Sequence, residues 1–327
     1  MPLDVVIRDS RGTPAMTTTT PGSPETPEEA TPLNTTWARR FARNTVPVPL
    51  IGHTGGVWAV ASVALADGRV LLATASDDRT ARLWDLATRT QIGSPLTGHT
   101  GWVLAVATVP LPDGHVLLAT GSRDGTVRLW DPTTGTQVGD PLTGHDGWVN
   151  AVAAVALTDG QVLLASAGND RTMRLWDPTT RAQIGHPLAG HTGPVQAVAA
   201  VPLPDGRVLL ATGSDDATAR LWDPTTGSQI GDPLNGHYGG VQALAVVPSP
   251  DGQVVLATGS FDETVQLWDP TASAPIGDPL IGHTDWVNAL AAVTLPDGRV
   301  LLASASGDFT VQLWGTAEQG SAPGDVG

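Results

Sequence analysis

Residues 53–98 read HTGGVWAVASVALADGRVLLATASDDRTARLWDLATRTQIGSPLTG, and the next unit opens HTGWVLAVATVPLPDGHVLLATGSRDGTVRLWD from residue 99. The likeness runs on: histidines stand at 53, 99, 145, 191, 237 and 283, tryptophans at 84, 130, 176, 222, 268 and 314, and both series advance by 46 residues. A repeat of this length holds one supersecondary unit that cannot bury its own apolar faces and must stack on its neighbours. Function is then to be sought in what differs between units.

Within a unit, residues 57–65 (VWAVASVAL) are almost continuously apolar, as expected of a strand covered on both faces. Ala66-Asp67-Gly68 reverses the chain, since Gly accepts positive φ at little cost. A second strand is expected at about 69–76, a polar turn at Asp77-Asp78-Arg79, a third strand at about 80–85 and a more polar outer strand over Thr90–Leu96. Four antiparallel strands with the apolar ones inward describe a blade of a β-propeller. The fold class is therefore all-β, a six-bladed propeller of four-stranded antiparallel blades. Residues 44–53 (NTVPVPLIGH) align with 90–99 (TQIGSPLTGH), whereas the last unit ends after its third strand. The orphan N-terminal strand is expected to complete the last blade and close the ring, giving a propeller domain over 44–315.

Gly-His near the start of each unit, Asp-x-Thr, and Leu-Trp at its end, as in Leu83-Trp84-Asp85 and Leu129-Trp130-Asp131, closely resemble the WD-repeat (WD40) propeller family over about residues 44–314. The sequence departs from the family in two ways: most family rings have seven blades, and the last copy reads Leu313-Trp314-Gly315. The resemblance implies a hydrogen-bonded tetrad in every blade. In chain order these are His53, Thr74, Asp78 and Trp84; His99, Thr120, Asp124 and Trp130; His145, Ser166, Asp170 and Trp176; His191, Thr212, Asp216 and Trp222; His237, Thr258, Asp262 and Trp268; and His283, Ser304, Asp308 and Trp314. Histidine, hydroxyl and carboxylate suggest a hydrolase triad, but a triad needs one exposed nucleophile beside an oxyanion hole. Six equivalent sets read instead as internal bracing.

Composition closes off other chemistry. The chain has no Cys, and its 17 basic residues are all Arg, so disulfides, thiolate sites and Schiff-base lysines are excluded. The net charge of −15 comes mostly from acids that recur by position, and it argues against a nucleic-acid backbone as ligand. His115 and His186 have no Cys or His at ligand spacing, so no metal site and no cofactor are expected. No run approaches the ~18 apolar residues of a membrane span, and the first residues do not read as a secretory signal. A cytoplasmic protein, monomeric and with neither membrane nor nucleic acid as partner, is the expectation. Residues 1–43, with Thr, Pro and Glu dominating 13–36, are expected to be a disordered tail, and 316–327 a flexible one. The basic and aromatic run from Trp37 to Arg43 reads as a stub leading into the first strand.

Comparison between units separates scaffold from variable positions. Three residues after each tetrad His stand Gly56, Trp102, Trp148, Pro194, Gly240 and Trp286. Two residues further on, and so expected on the same side of the strand, stand Trp58, Leu104, Asn150, Gln196, Gln242 and Asn288. Just before each tetrad Asp stand Asp77, Arg123, Asn169, Asp215, Phe261 and Gly307. The resemblance places these columns around the narrower mouth of the channel, where partners of the family commonly dock. Of eleven Trp, six belong to tetrads, one is Trp37, and all the others fall in these columns. Trp58, Trp102, Leu104, Arg123, Trp148, Asn150, Gln196, Gln242, Phe261, Trp286 and Asn288 are therefore the candidate partner-binding residues. A lopsided face is expected, with Trp in blades one, two, three and six. The reading is a non-catalytic scaffold for a protein or peptide. The alternatives are a carbohydrate-binding propeller, which would repeat one pocket per blade, and a propeller enzyme, for which Arg123, Asp77 and Asp215 are the only channel candidates.

Overall fold

Alternation of Val and Ala with Gly-bearing turns sets the strands. The inner strands Val57–Ala64, Val103–Pro110, Val149–Ala156, Val195–Pro202, Val241–Pro248 and Val287–Thr294 each pair antiparallel with a second strand, from Val70–Ser76 in the first blade to Val300–Ser306 in the last. The computed structural model describes residues 5–6, 49–249, 252–295 and 297–315. In the second blade every inner-strand residue except Pro110 is buried, which is why the run is apolar without alternation. Gly68, at φ 84°, makes the first reversal, donating its N–H to the Leu65 carbonyl at 3.0 Å.

The third strands carry Leu-Trp: Ala81–Asp85, Val127–Asp131, Thr172–Trp176, Thr218–Trp222, Thr264–Asp269 and Val311–Trp314. The outer strand is the weakest element, as its polar sequence predicts. It is whole in blades one, three and four (Thr90–Leu96, Gln183–Ala189, Gln229–Asn235). In blade two only Thr136–Gln137 and a bridge from Val127 to Leu142 remain, and in blade five it splits into Ala274–Pro275 and Leu280–Ile281. Gly139 and Gly277, both at positive φ, lie at these breaks, but Gly231 holds the same conformation before Asp232-Pro233 inside the whole strand of blade four, so Gly-Asp-Pro alone does not break the ladder.

Six sheets follow one another around the ring, and the seams between them hold the core. At the first seam Ala73, Ala75, Ala81 and Leu83 of one blade meet Val103, Val106, Leu118 and Trp130 of the next, and equivalent buried clusters fill the four seams that follow. The sixth seam differs. Val103, Val149, Val195, Val241 and Val287 are 0% exposed, but their counterpart Val57 is 46% exposed. On the facing blade Leu313 is 63% exposed, where Leu83, Leu129, Leu175 and Leu221 are at most 2%.

The last sheet contains three strands among the described residues. The expected closing strand falls largely on 44–48, outside the described residues, and Pro49 and Leu50 belong to no strand. Of the expected tail over 1–43, only Val5–Val6 are described. They pair antiparallel with Ala59 and Val60 on the inner edge of the first blade and neighbour the inner strand of the last. The Trp37–Arg43 run and the expected tail over 316–327 also lie outside the described residues. No helix among the described residues is long and apolar enough to cross a membrane.

Candidate functional site

Every blade carries the same chain of hydrogen bonds. In the first, the Trp84 indole N–H donates to Thr74 Oγ1 at 2.8 Å, Thr74 Oγ1 lies 2.8 Å from His53 Nε2, and His53 Nδ1 lies 2.8 Å from Asp78 Oδ2. An indole can only donate, so the hydroxyl must pass its own hydrogen to Nε2, leaving Nδ1–H to face the carboxylate. Nothing in the chain then needs a charged imidazole. The other five sets, Ser166 and Ser304 included, repeat these bonds at 2.7 to 2.9 Å. The hydroxyls of Thr120, Ser166, Thr212 and Thr258 belong to fully buried residues, where no substrate reaches.

The Asp also builds its own turn. Asp78 Oδ1 accepts from the Thr80 N–H and hydroxyl at 3.0 and 2.7 Å. Burial alone would raise the carboxyl of Asp78, but hydrogen bonds from Thr80, His53 and the Thr54 N–H outweigh it and hold it at about 2. Asp216 is likewise held at about 2 against burial. Burial lowers His191, which Asp216 opposes. The middle residue of Asp-x-Thr is left-handed in every blade, Gly125 in one and Arg79, Arg171, Ala217, Glu263 and Phe309 in the others.

These braces fix the variable columns. In each blade the N–H just before the tetrad Asp donates to the carbonyl three residues after the tetrad His, as from Arg123 to Trp102 at 2.8 Å and from Phe261 to Gly240 at 3.0 Å. The middle column sits on a β-bulge, because Val57 pairs with Ser76 and Ala59 with Ala75, leaving Trp58 without a partner, and the other five inner strands skip the equivalent residue. A bulge re-aims its extra side chain, yet in blades three and four both columns reach the channel mouth, Trp148 with Asn150 and Pro194 with Gln196, while in blade two Leu104 lines it and Trp102 does not.

At that mouth lies a cavity of about 360 Å³ to which all six blades contribute. Trp58, Leu104, Arg123, Trp148, Asn150, Gln196, Gln242, Phe261 and Asn288 line it, together with Asn169, Pro194 and Asp215, which the candidate set omitted. Trp102 and Trp286 stand beside it as supports. Trp102 stacks on Trp58 with centroids 5.9 Å apart and 20° between planes, and Trp286 meets Phe261 at 4.3 Å. The Arg123 guanidinium lies over both Trp102 and Trp148, at 3.6 and 3.8 Å from the ring centroids. Burial lowers the Arg123 pKa, and the Asp77 charge opposes this.

An aromatic and cationic stack therefore runs across blades one to three, and a second pair joins blades five and six. The face is lopsided, with blade four the polar interruption rather than blades four and five together. There Asp215 accepts from Gln196 at 2.8 Å and Gln242 at 2.7 Å. Asn150 donates to Asn169 Oδ1 at 2.7 Å and to the Val195 carbonyl at 3.0 Å. Two further aromatics, Tyr238 and Phe309, are almost wholly exposed in the turns beside the tetrad Asp of blades five and six. The column comparison passed over them; their counterparts in the repeat are Thr or Asp for Tyr238 and Arg, Gly, Ala or Glu for Phe309, and the aromatic departure was the available signal. Among the described residues no cluster of His, Asp and Glu is arranged to hold a metal.

No curated protein matches the chain. The family model described as WD domain, G-beta repeat matches six times, at residues 45–85, 89–131, 135–177, 182–223, 227–269 and 276–315. With that coverage and a tetrad in every blade, the chain belongs to the WD40 repeat family, whose repeats generally mediate protein–protein interaction.

Proposed function

We propose that this chain is a non-catalytic interaction scaffold that receives a protein or peptide partner on the aromatic-rich mouth of its channel. The observation that carries this is the Trp58, Trp102, Arg123, Trp148 stack at the edge of a shared cavity. Trp102, Trp148 and Trp286 stay 37 to 40% exposed although the same position is Gly or Pro in other blades, so the scaffold itself does not require an indole there. Partly wet aromatics beside Arg, bordered by amides, have the makeup of a binding hot spot. One cavity shared by six unlike blades suits an asymmetric partner better than a sugar, which would find one pocket per blade. The single cation of the mouth and the net charge of −15 speak against a nucleic acid or an anionic membrane.

The test is affinity purification from the native host with the wild type and with a Trp102→Ala, Trp148→Ala, Trp286→Ala variant, both checked for folding, followed by titration of the recovered partner with pure protein. Loss of one partner with the variant is expected. Equal recovery by both would move the function to the rim or the tail.

The closure of the ring belongs to the same reading. The orphan strand that begins at residue 44 completes the last blade as its fourth strand and ends before Pro49 and Leu50, which lie in no strand; its alignment with outer strands and a first family match that begins at residue 45, ahead of the first tetrad His, support this. A chain begun at residue 51 is then expected to melt well below the full chain. An unchanged melting temperature would count against the closure.

A further inference from the structure

The scaffold is built six times, and it carries an arginine before the tetrad Asp only once. The other blades place Asp77, Asn169, Asp215, Phe261 and Gly307 there on the same backbone hydrogen bond, so the fold has no need of a cation at that position. Arg123 nevertheless lies between two indoles with its Nε buried and unpartnered. Among the described residues its guanidinium makes no hydrogen bond and no ion pair; its electrostatic neighbour is Asp77. Arg82, Arg128, Arg174 and Arg220 also bury an unpartnered Nε, but each donates through Nη1 to a Gln, whereas no nitrogen of the Arg123 guanidinium has an acceptor; a partly buried donor set left unmatched calls for a reason.

The geometry narrows what can supply the acceptor. Trp102 and Trp148 cover the guanidinium, so what it offers the cavity is its edge with the two terminal amino groups. Among the polar groups lining the cavity, Asp215 is already engaged by Gln196 and Gln242, and Asn150 by Asn169 and the Val195 carbonyl. Resting on the partner-binding reading above, we infer that Arg123 is the recognition point for a carboxylate of a peptide partner, an Asp or Glu side chain or a free C-terminus, held bidentate on that edge. Planar carboxylates match this donor fork. A single charge suits the site, since Arg123 is the one cation lining the cavity and Asp215 shares it. The indoles hold the guanidinium in place before the partner arrives, so little rotamer entropy remains to be lost on binding. Elsewhere a chain of net charge −15 repels an acidic peptide, which confines its binding to this spot.

Selection of random dodecapeptides on the folded full-length chain tests this, with one library ending in a free carboxylate and one ending in an amide. Enriched peptides sharing an Asp, a Glu or a required free C-terminus, which bind Arg123→Gln at least tenfold more weakly and Arg123→Lys at an intermediate level, are the expected result; the two libraries tell the sources apart. Near-ultraviolet circular dichroism and melting check that each variant is folded. Peptides that lose binding with Trp148→Ala yet share no carboxylate and bind Arg123→Gln unchanged would overturn the inference while leaving the aromatic face as the docking site. Enriched peptides indifferent to both Trp148→Ala and Trp286→Ala would overturn both.

Discussion

One peptide bond separates Asp124 from Arg123, and the two side chains could hardly be treated more differently. Asp124 accepts from His99 Nδ1 at 2.8 Å, from the N–H of Thr100 and Thr126 at 2.9 and 3.0 Å, and from the Thr126 hydroxyl at 2.7 Å. The Arg123 guanidinium lies between two indoles and donates to nothing. The first belongs to a set repeated in every blade and complete within itself; the second belongs to a column in which no two consecutive blades agree. Buried polar groups that satisfy one another rigidify a fold, whereas unmatched ones raised on a rigid base are what a binding site requires. The tetrads are thus the base, and the mouth is what they hold up.

Mutations should separate the two regions. The largest effect is expected from Asp170→Ala, which leaves His145 and the Thr172 hydroxyl without their acceptor and should cost about 3 kcal/mol in urea unfolding, with partner affinity unchanged in the folded fraction. A large loss of affinity without loss of stability would break the comparison. The converse is expected of Trp148→Ala, with about 2 kcal/mol lost in binding measured calorimetrically and stability within about 1 kcal/mol of wild type.

Position in the ring sharpens the contrast. Asp308→Ala should cost less than Asp170→Ala, about 1 to 2 kcal/mol, because the last blade has an exposed third strand and can open locally. The smallest effect belongs to Ala217→Gly. Ala217 holds φ 67°, a conformation that costs a residue with a Cβ more than a Gly, so a gain of about 0.5 kcal/mol in unfolding free energy is expected.

Acid acts on the tetrads. Asp78 and Asp216 titrate at about 2 in the folded chain, below the ordinary carboxylate value near ~4. Their contribution is therefore fully present above about pH 4 and is lost as the pH falls through about 2, where the folded carboxylates finally protonate. Melting temperatures followed from pH 6 to pH 2 should fall most steeply in that lower window. A flat profile there would show that the hydrogen bonds to these carboxylates contribute little.

The repeat made the ring legible because the tetrad needs its Trp, hydroxyl, His and Asp at fixed places in every blade, and those places show in one chain without any alignment. The mouth was legible as three columns for the converse reason, that residues which brace nothing are free to vary. What the sequence hid were geometric facts. Each inner strand carries a bulge, at Leu104 in blade two, that no residue type announces. Arg123 shares a blade with Trp102, but its second indole, Trp148, comes from the next blade, and its approach depends on the angle between blades. Likewise Gln196 and Gln242 meet on Asp215 from two blades. The outer strands were legible as weak edges, but not which of them break, since Gly231-Asp232-Pro233 lies within a whole strand and Gly139-Asp140-Pro141 at a break.

The central claim, that the partner lands on the mouth and not on the rim, is tested most directly by amide hydrogen exchange with and without a bound partner or selected peptide. The account predicts new protection at the bulges of the inner strands and in the turns holding Arg123 and Phe261, with the outer strands Thr90–Leu96, Gln183–Ala189 and Gln229–Asn235 unchanged. Protection confined to those outer strands would contradict it.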